Sequence, residues 1–339
     1  TLNFSGNTVA DELYFYVEDN FKITNRLKAN IGIHLGYYNT NRSSSIFKNN
    51  ISFQPRASVR YLLNEKWSIK GSYAEMTQNI HLLSNSSIGF PSDIWVPATD
   101  TVPSQTSKQW AGNISTEFGN GEYELSLEGY YKTMNNLITY KSGYSNLSST
   151  ESWENSVETG GIGESYGAEL FLQKKKGRTT GWIGYTLSWT NRKFDNINFG
   201  EWYPYKFDRR HDFSLVVSHR FNEKWDAGLT WVYGTGNAIT FPQAIYLGTP
   251  NNGNDFVDVV ESYGTRNSTR LDAYHRLDLG FNKTVKKERI TKILSFGAYN
   301  AYSRKNPFFA YLTYERGNRV AKQVSLFPII PSISYRIQF

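Results

Sequence analysis

Apolar and polar side chains alternate along most of this chain with a period of two. Leu27, Ala29, Ile31, Ile33, Leu35 and Tyr37 share one parity, and Lys28, Asn30, Gly32, His34, Gly36 and Tyr38 share the other. A helix would fold Lys28 and His34 into the apolar stripe, whereas a strand sends them to the opposite face. The pattern returns where Phe53, Ala57, Val59 and Tyr61 oppose Gln54, Arg56, Ser58 and Arg60. It returns again where Tyr123, Leu125, Leu127 and Tyr131 oppose Glu124, Ser126, Glu128 and Lys132. Leu277, Leu279 and Phe281 likewise oppose Arg276, Asp278 and Asn282. The last stretch puts Ile333, Tyr335, Ile337 and Phe339 on one face and Ser332, Ser334, Arg336 and Gln338 on the other.

Read this way, the chain holds about thirteen strands, each near or above the roughly ten residues that a tilted strand needs to cross a bilayer. Short and long connections alternate strictly. The short ones include Asn64-Glu65-Lys66, Gly119-Asn120-Gly121, Lys174-Lys175-Lys176-Gly177, Asn222-Glu223-Lys224 and Lys286-Lys287; the long ones include about 77–105, 141–163, 194–207 and 242–269. A soluble sandwich has no reason to sort its loops by length, but an outer-membrane barrel does. The expected fold is therefore all-β: a transmembrane antiparallel β-barrel with lipid outside and water within. The charged candidates Arg56, Arg60, Glu124, Glu128, Arg276 and Asp278 all take the parity that faces the lumen, and His219 is expected as the one polar outlier on the apolar face. The final strand, with Tyr335, Ile337 and Phe339, is the expected site of barrel closure and assembly. One strand is expected from Ile293 to Tyr314 and the closing one from about Gln323, where Pro328 and Pro331 sit against the rule that excludes Pro from a paired ladder. An odd strand count whose last member descends to the periplasm implies a first strand that also descends, so the chain is expected to start part-way round a barrel.

Composition sharpens this picture. The 339 residues are only 39% hydrophobic yet 16% aromatic, with 24 Tyr, 21 Phe and 9 Trp. A wet interior and aromatic girdles produce that mixture. There is no cysteine, which excludes disulfide and thiolate chemistry, and no apolar run long enough for a membrane-spanning helix. The net charge of +7 is scattered along alternating faces and does not make a nucleic-acid patch. His34, His81, His211, His219 and His275 are dispersed without metal-ligand spacing, so no metal, cofactor or catalytic residues are assigned and no enzyme is expected. Gly234-Thr235-Gly236-Asn237-Ala238 lacks the Lys of a phosphate loop and reads as a kink or bulge. Asp208-Arg209-Arg210-His211-Asp212 reads as an internally paired charge network at a strand start, and Asn41-Arg42-Ser43 as loop composition. Asn64-Glu65-Lys66-Trp67 recurs as Asn222-Glu223-Lys224-Trp225, placing a Trp at the membrane interface after each turn. In the external loops Trp95, Trp153, Trp202, Tyr203 and Tyr205 are the expected ligand contacts.

A set of short pieces then suggests a family. They are Tyr16-Val17-Glu18-Asp19-Asn20, Pro55-Arg56 with Tyr61-Leu62-Leu63, Tyr73-Ala74-Glu75-Met76, Tyr166-Gly167-Ala168-Glu169, Asp208-Arg209-Arg210-His211, Tyr274-His275-Arg276-Leu277-Asp278, Tyr299-Asn300-Ala301-Tyr302, Lys305-Asn306-Pro307 and the terminal Phe339. In order and spacing the chain resembles the C-terminal part of the barrel of TonB-dependent outer-membrane receptors. The resemblance implies a twenty-two-stranded barrel, of which residues 1–339 would be the C-terminal portion of a single domain, with the plug and the N-terminal strands absent. It implies import of a scarce nutrient (iron-siderophore, vitamin, peptide or glycan) across the outer membrane of a Gram-negative bacterium. The TonB-ExbB-ExbD system would act through the missing plug. Other implied partners are the barrel assembly machinery, outer-membrane lipid and, in parts of the family, a surface lipoprotein. A passive porin-type channel shares every periodicity argument, and a soluble all-β binding domain is the third reading.

Overall fold

The computed structural model describes residues 8–40, 51–85, 93–142, 153–247, 259–316 and 318–339; the Asn41-Arg42-Ser43 triplet lies outside them. The chain opens with β1 (Ala10–Lys22) and β2 (Leu27–Thr40), then β3 (Ile51–Leu62) and β4 (Trp67–Gln78). A short pair, β5 (Ile80–Leu83) and β6 (Ile94–Pro97), precedes β7 (Gln105–Phe118), β8 (Tyr123–Tyr140), β9 (Val157–Lys174) and β10 (Thr179–Lys193). After β11 (Tyr203–Pro204) come β12 (His211–Arg220) and β13 (Trp225–Gly234). Four short strands follow: β14 (Ala238–Ile239), β15 (Pro242–Leu247), β16 (Val259–Tyr263) and β17 (Thr269–Arg270). The chain ends with β18 (Tyr274–Lys286), β19 (Thr291–Tyr299), β20 (Pro307–Glu315), β21 (Asn318–Ser325) and β22 (Ile330–Gln338).

One antiparallel sheet runs through thirteen of these in the order β1-β2-β3-β4-β7-β8-β9-β10-β12-β13-β18-β19-β22. Its edges, β1 and β22, do not pair with each other, so the wall is open. The two-residue β11 pairs back onto β10, and the remaining strands form small two-stranded pairs in the long connections.

Six short connections join wall strands at one rim, and each has four residues: 23–26, 63–66, 119–122, 175–178, 221–224 and 287–290. Their uniformity has a chemical cause. The Oδ1 of Asn64 accepts the backbone N–H of Lys66 and of Trp67 at 2.9 Å each, and Asn222 does the same for Lys224 and Trp225. Thr24 plays this part with its hydroxyl oxygen toward Arg26 and Leu27. These are side-chain-closed turns, the reason Asn and Thr favour such positions. Gly119-Asn120-Gly121 turns instead through three consecutive positive φ angles of 62, 55 and 72°.

The outer face is apolar and unburied: Ile31, Val59, Leu127, Phe281 and Ile333 are each about half exposed or more. Near the long-loop rim it carries a continuous aromatic row. Tyr73, Trp110, Tyr131, Tyr166 and Trp189 lie opposite one another on successive strands, with ring centroids 5.3, 6.2, 6.4 and 5.4 Å apart. Trp67, Phe118, Tyr123 and Trp225 mark the turn rim. An apolar band between two aromatic belts is the surface a bilayer requires.

Three expectations need correction. His219 is not alone on the apolar face: the register gives Asp19, Lys283 and Lys292 the same side near the turns, and Glu75 and Lys108 form a 3.4 Å ion pair there at the other rim. All lie near strand ends, where headgroups and water solvate charge. The stretch from Ile293 to Tyr314 is not one strand; β19 stops at Tyr299, a separate hairpin β20–β21 follows, and the closing strand begins at Ile330. Pro328 therefore precedes the strand, and Pro331 sits on β22 opposite Ala298 of β19. Finally, β9 begins earlier than expected, at Val157 inside the 141–163 connection, because Gly160, Gly161 and Gly163 interrupt the alternation that would have revealed it.

Candidate ligand site beneath the external loops

A barrel wall has no apolar core between its faces, and the described burial reflects this. The largest fully buried side chains, among them Phe194, Leu83, Leu137, Ile138, Ile197 and Val102, belong to the long-connection side. Leu83, Val96, Val102, Ile138, Tyr140 and Val157 form one cluster, where the β5–β6 hairpin meets the raised ends of β8 and β9. Leu137, Phe194, Ile197 and Tyr203 form a second. These two cores hold a cap over the rim.

Cations gather within this cap. Arg192, on the lumen parity of β10, lays its guanidinium 3.5 Å over the ring of Tyr205 and donates from Nη1 to the Ile138 carbonyl at 3.5 Å. Arg266 donates to Thr139 Oγ1 at 2.9 Å and stands 5.5 Å from the ring of Tyr203. The Nε atoms of Arg192 and Arg266 are buried and have no hydrogen-bond partner among the described residues. Burial pushes the Tyr203 phenol up, against the opposing pull of Arg266 and Arg192. Lys206, itself nearly buried, pairs with Asp93 at 2.8 Å.

Beside this lies a satisfied half. Asp208, 1% exposed, accepts the Thr190 N–H at 2.7 Å and pairs with Arg210 and with Arg270. Arg210 also stacks 4.3 Å over Trp189, and Arg209 pairs with Asp212. The Asp208–Asp212 run is thus a paired network, closed by an arginine 62 residues away. Across both halves five cations, Arg192, Lys206, Arg210, Arg266 and Arg270, meet two paired carboxylates, Asp93 and Asp208. An excess of shielded positive charge beside aromatic faces suits an anionic, ring-bearing ligand.

His81 is fully buried in the same cap, with Nδ1 2.7 Å from the amide nitrogen of Gln105. Its pKa falls to about 4, first through burial and second through the Arg192 charge, with the Pro103 carbonyl pulling the other way.

The sequence-expected loop aromatics are not one constellation. Tyr203 and Tyr205 join the arginines; Trp153 packs on the first core; Trp95 and Trp202 are exposed at the surface. Sequence reasoning missed Arg192 and Arg266. It also missed Phe199, which is 99% exposed at a φ of 58°. An exposed aromatic held in a backbone region disfavoured for it is a position worth probing as a contact.

Of the lumen-parity candidates, Arg56 faces Gly32, Arg60 lies between Lys28 and Lys70, and Glu124 and Glu128 oppose Glu117 and Glu169. Arg276 pairs with Asp278 at 2.9 Å and donates to Tyr274 and Tyr299, while Asp278 accepts the Asn300 N–H. That pair anchors the fully buried Asn300 at the base of a loop. Tyr335 and Ile337 face outward on β22, and Phe339 lies just beyond it.

The family model "TonB dependent receptor-like, beta-barrel" matches residues 2–301. The chain belongs to the TonB-dependent receptor family. Among solved structures, this receptor wall is similar to the ferripyoverdine receptor of the outer membrane of Pseudomonas aeruginosa, at 15% identity and a TM-score of 0.59, covering 97% of this chain and 38% of that one. It is also similar to the ferric-catecholate import receptor Fiu of Escherichia coli K12, at 13% identity and 0.59, covering 97% and 44%. The FrpB iron transporter of Neisseria meningitidis gives 13% and 0.58, covering 97% and 45%. No curated protein matches. The chain thus spans about two-fifths of the length of these relatives' chains, as a barrel wall belonging to the outer membrane of a Gram-negative bacterium.

Proposed function

We propose that this chain is the C-terminal part, residues 1–339, of the barrel of an outer-membrane receptor that imports an anionic iron chelate by TonB-coupled active transport. The cap binds the ligand outside, a plug carried elsewhere in the same polypeptide closes the lumen, and the TonB system moves that plug. The chain supplies wall, loops and closing strand, with Tyr335, Ile337 and Phe339 serving assembly, and it carries no catalysis.

The observation behind this reading is the pair Arg192–Tyr205 and Arg266–Tyr203, with two buried guanidinium Nε–H groups that nothing in the described protein accepts. Buried donors of this kind cost free energy until a ligand meets them. The receptor structures named above that carry iron or ferric chelates support the cargo class. Uptake of radiolabelled ferric chelates by cells with and without the receptor gene tests it. A deletion strain that takes up every anionic chelate at the wild-type rate would sink the proposal.

A further inference from the structure

One line of side chains crosses the lumen face from strand to strand. Lys22 of β1 lies opposite Lys28 of β2, Lys28 opposite Arg60 of β3, and Arg60 opposite Lys70 of β4. The same line then passes Asn113 to Glu128, Glu169, Thr186 and Asp212. Four cations in succession are thus followed by three carboxylates. The cationic end lies at the turn rim, since Lys22 is the last residue of β1, and the anionic end at the loop rim, since Asp212 is the second of β12.

Like charges directly opposed on neighbouring strands destabilise a sheet. The wall relieves this only in part at the cationic end: Glu117 of β7 acts on Arg60, and Arg60 and Lys70 share a cavity with Glu117 and Glu124, but none of the four cations forms an ion pair among the described residues. All four side chains are exposed, and the ion pairs of the neighbouring strands go to Lys108, Lys174 and Lys175 instead. The four line a cavity of about 430 Å³ together with Asn20 and Asn30. The cavity that holds Lys22 and Lys28 is lined by no carboxylate, so the row lacks its full counter-charge, and the geometry says what kind would supply it. Strands lie about 4.8 Å apart, so four positions span about 14 Å, more than one small anion can bridge. An extended peptide places alternate side chains about 6.7 Å apart, so three carboxylates on one face cover that span. The row is also bipolar. A diffusible anion has no use for Glu128, Glu169 and Asp212, whereas a folded partner with fixed charges can answer both ends.

We propose that Lys22, Lys28, Arg60 and Lys70 form a docking strip for an acidic face of the polypeptide segment that fills the lumen. This rests on the plug-containing reading above and adds the sign and place of the contact. Zero-length carbodiimide coupling of the full-length receptor in detergent, read by mass spectrometry, tests it. The expected result is peptide pairs joining Lys28 or Lys70 to Asp or Glu of the luminal segment, absent from K28Q/K70Q. In K28E/R60E/K70E, proteolytic cutting of that segment is expected to rise at least fivefold while the heat-modifiable migration of the folded barrel is unchanged.

A photo-crosslinker at Ser126, on the same lumen face, separates the two ideas. Capture of a luminal segment from Ser126 without any coupling from the lysines overturns the docking strip and leaves the plug reading intact. Capture from neither position removes the plug reading itself. Pyrophosphate bound by the wild type and lost in K28Q/R60Q/K70Q, without coupling, would make the row a small-anion site and overturn the proposal.

Discussion

The membrane reading can be tested by placing one charge at two adjacent positions. Ile114 lies on the outer face of β7, four positions from its turn end at Phe118, between Ile69 of β4 and Leu127 of β8. In a crossing of about ten residues this is mid-depth. Ile114→Arg puts a guanidinium into hydrocarbon at a cost of about 2–4 kcal/mol, or about 30- to 700-fold in the unfolding equilibrium. Ser115, one residue on, points to the lumen between Ser68 and Ser126, and its hydroxyl meets that of Ser68 at 2.8 Å. Ser115→Arg forfeits that hydrogen bond, about 1 kcal/mol, and leaves the charge in water. Guanidinium unfolding of the full-length receptor in phospholipid vesicles, followed by tryptophan fluorescence, measures both. Equal losses at 114 and 115, or a larger loss at 115, would refute the assignment of lipid and water to the two parities.

Other expectations follow from the cap. Arg192→Gln and Arg266→Gln each remove a shielded cation and should weaken uptake of an anionic chelate tenfold or more, with the barrel still folded by gel migration. Leu83→Ala opens a hole in the first core and should destabilise the cap by about 2–5 kcal/mol, read as faster hydrogen exchange in residues 93–104 with the wall unchanged. His81 is neutral in the cap, with a pKa moved from 6.5 to about 4. A base with a lowered folded pKa gives stability that is whole above about pH 6.5 and lost as pH falls toward 4. The loss is about 3 kcal/mol by the size of the shift, and His81→Gln should flatten the pH dependence of cap proteolysis.

Parity carried the wall. With lipid on one side and water on the other, each residue's face is decided locally, so thirteen strands and the common face of Arg56, Glu128 and Arg276 were legible from short windows. The cap obeys no such local rule. Leu83 packs with Ile138 and Val157, and Arg270 closes on Asp208, through folding of long connections that no periodicity records. Arg192 shows the difference: its parity was readable, but its stacking on Tyr205 depends on how the connection after β10 returns. The glycines of β9 concealed a strand because a residue without a side chain belongs to neither face.

The cap also sets how this surface can change over time. Loops that meet foreign molecules are usually free to vary because little rests on them. Here the same segments enclose the largest water-excluded side chains, so a substitution that escapes an outside attacker at Trp95 or Phe199, both exposed, leaves the fold alone, while one at Leu83 or Phe194 does not. Diversification should therefore run along the crest of the loops, with their roots held nearly constant.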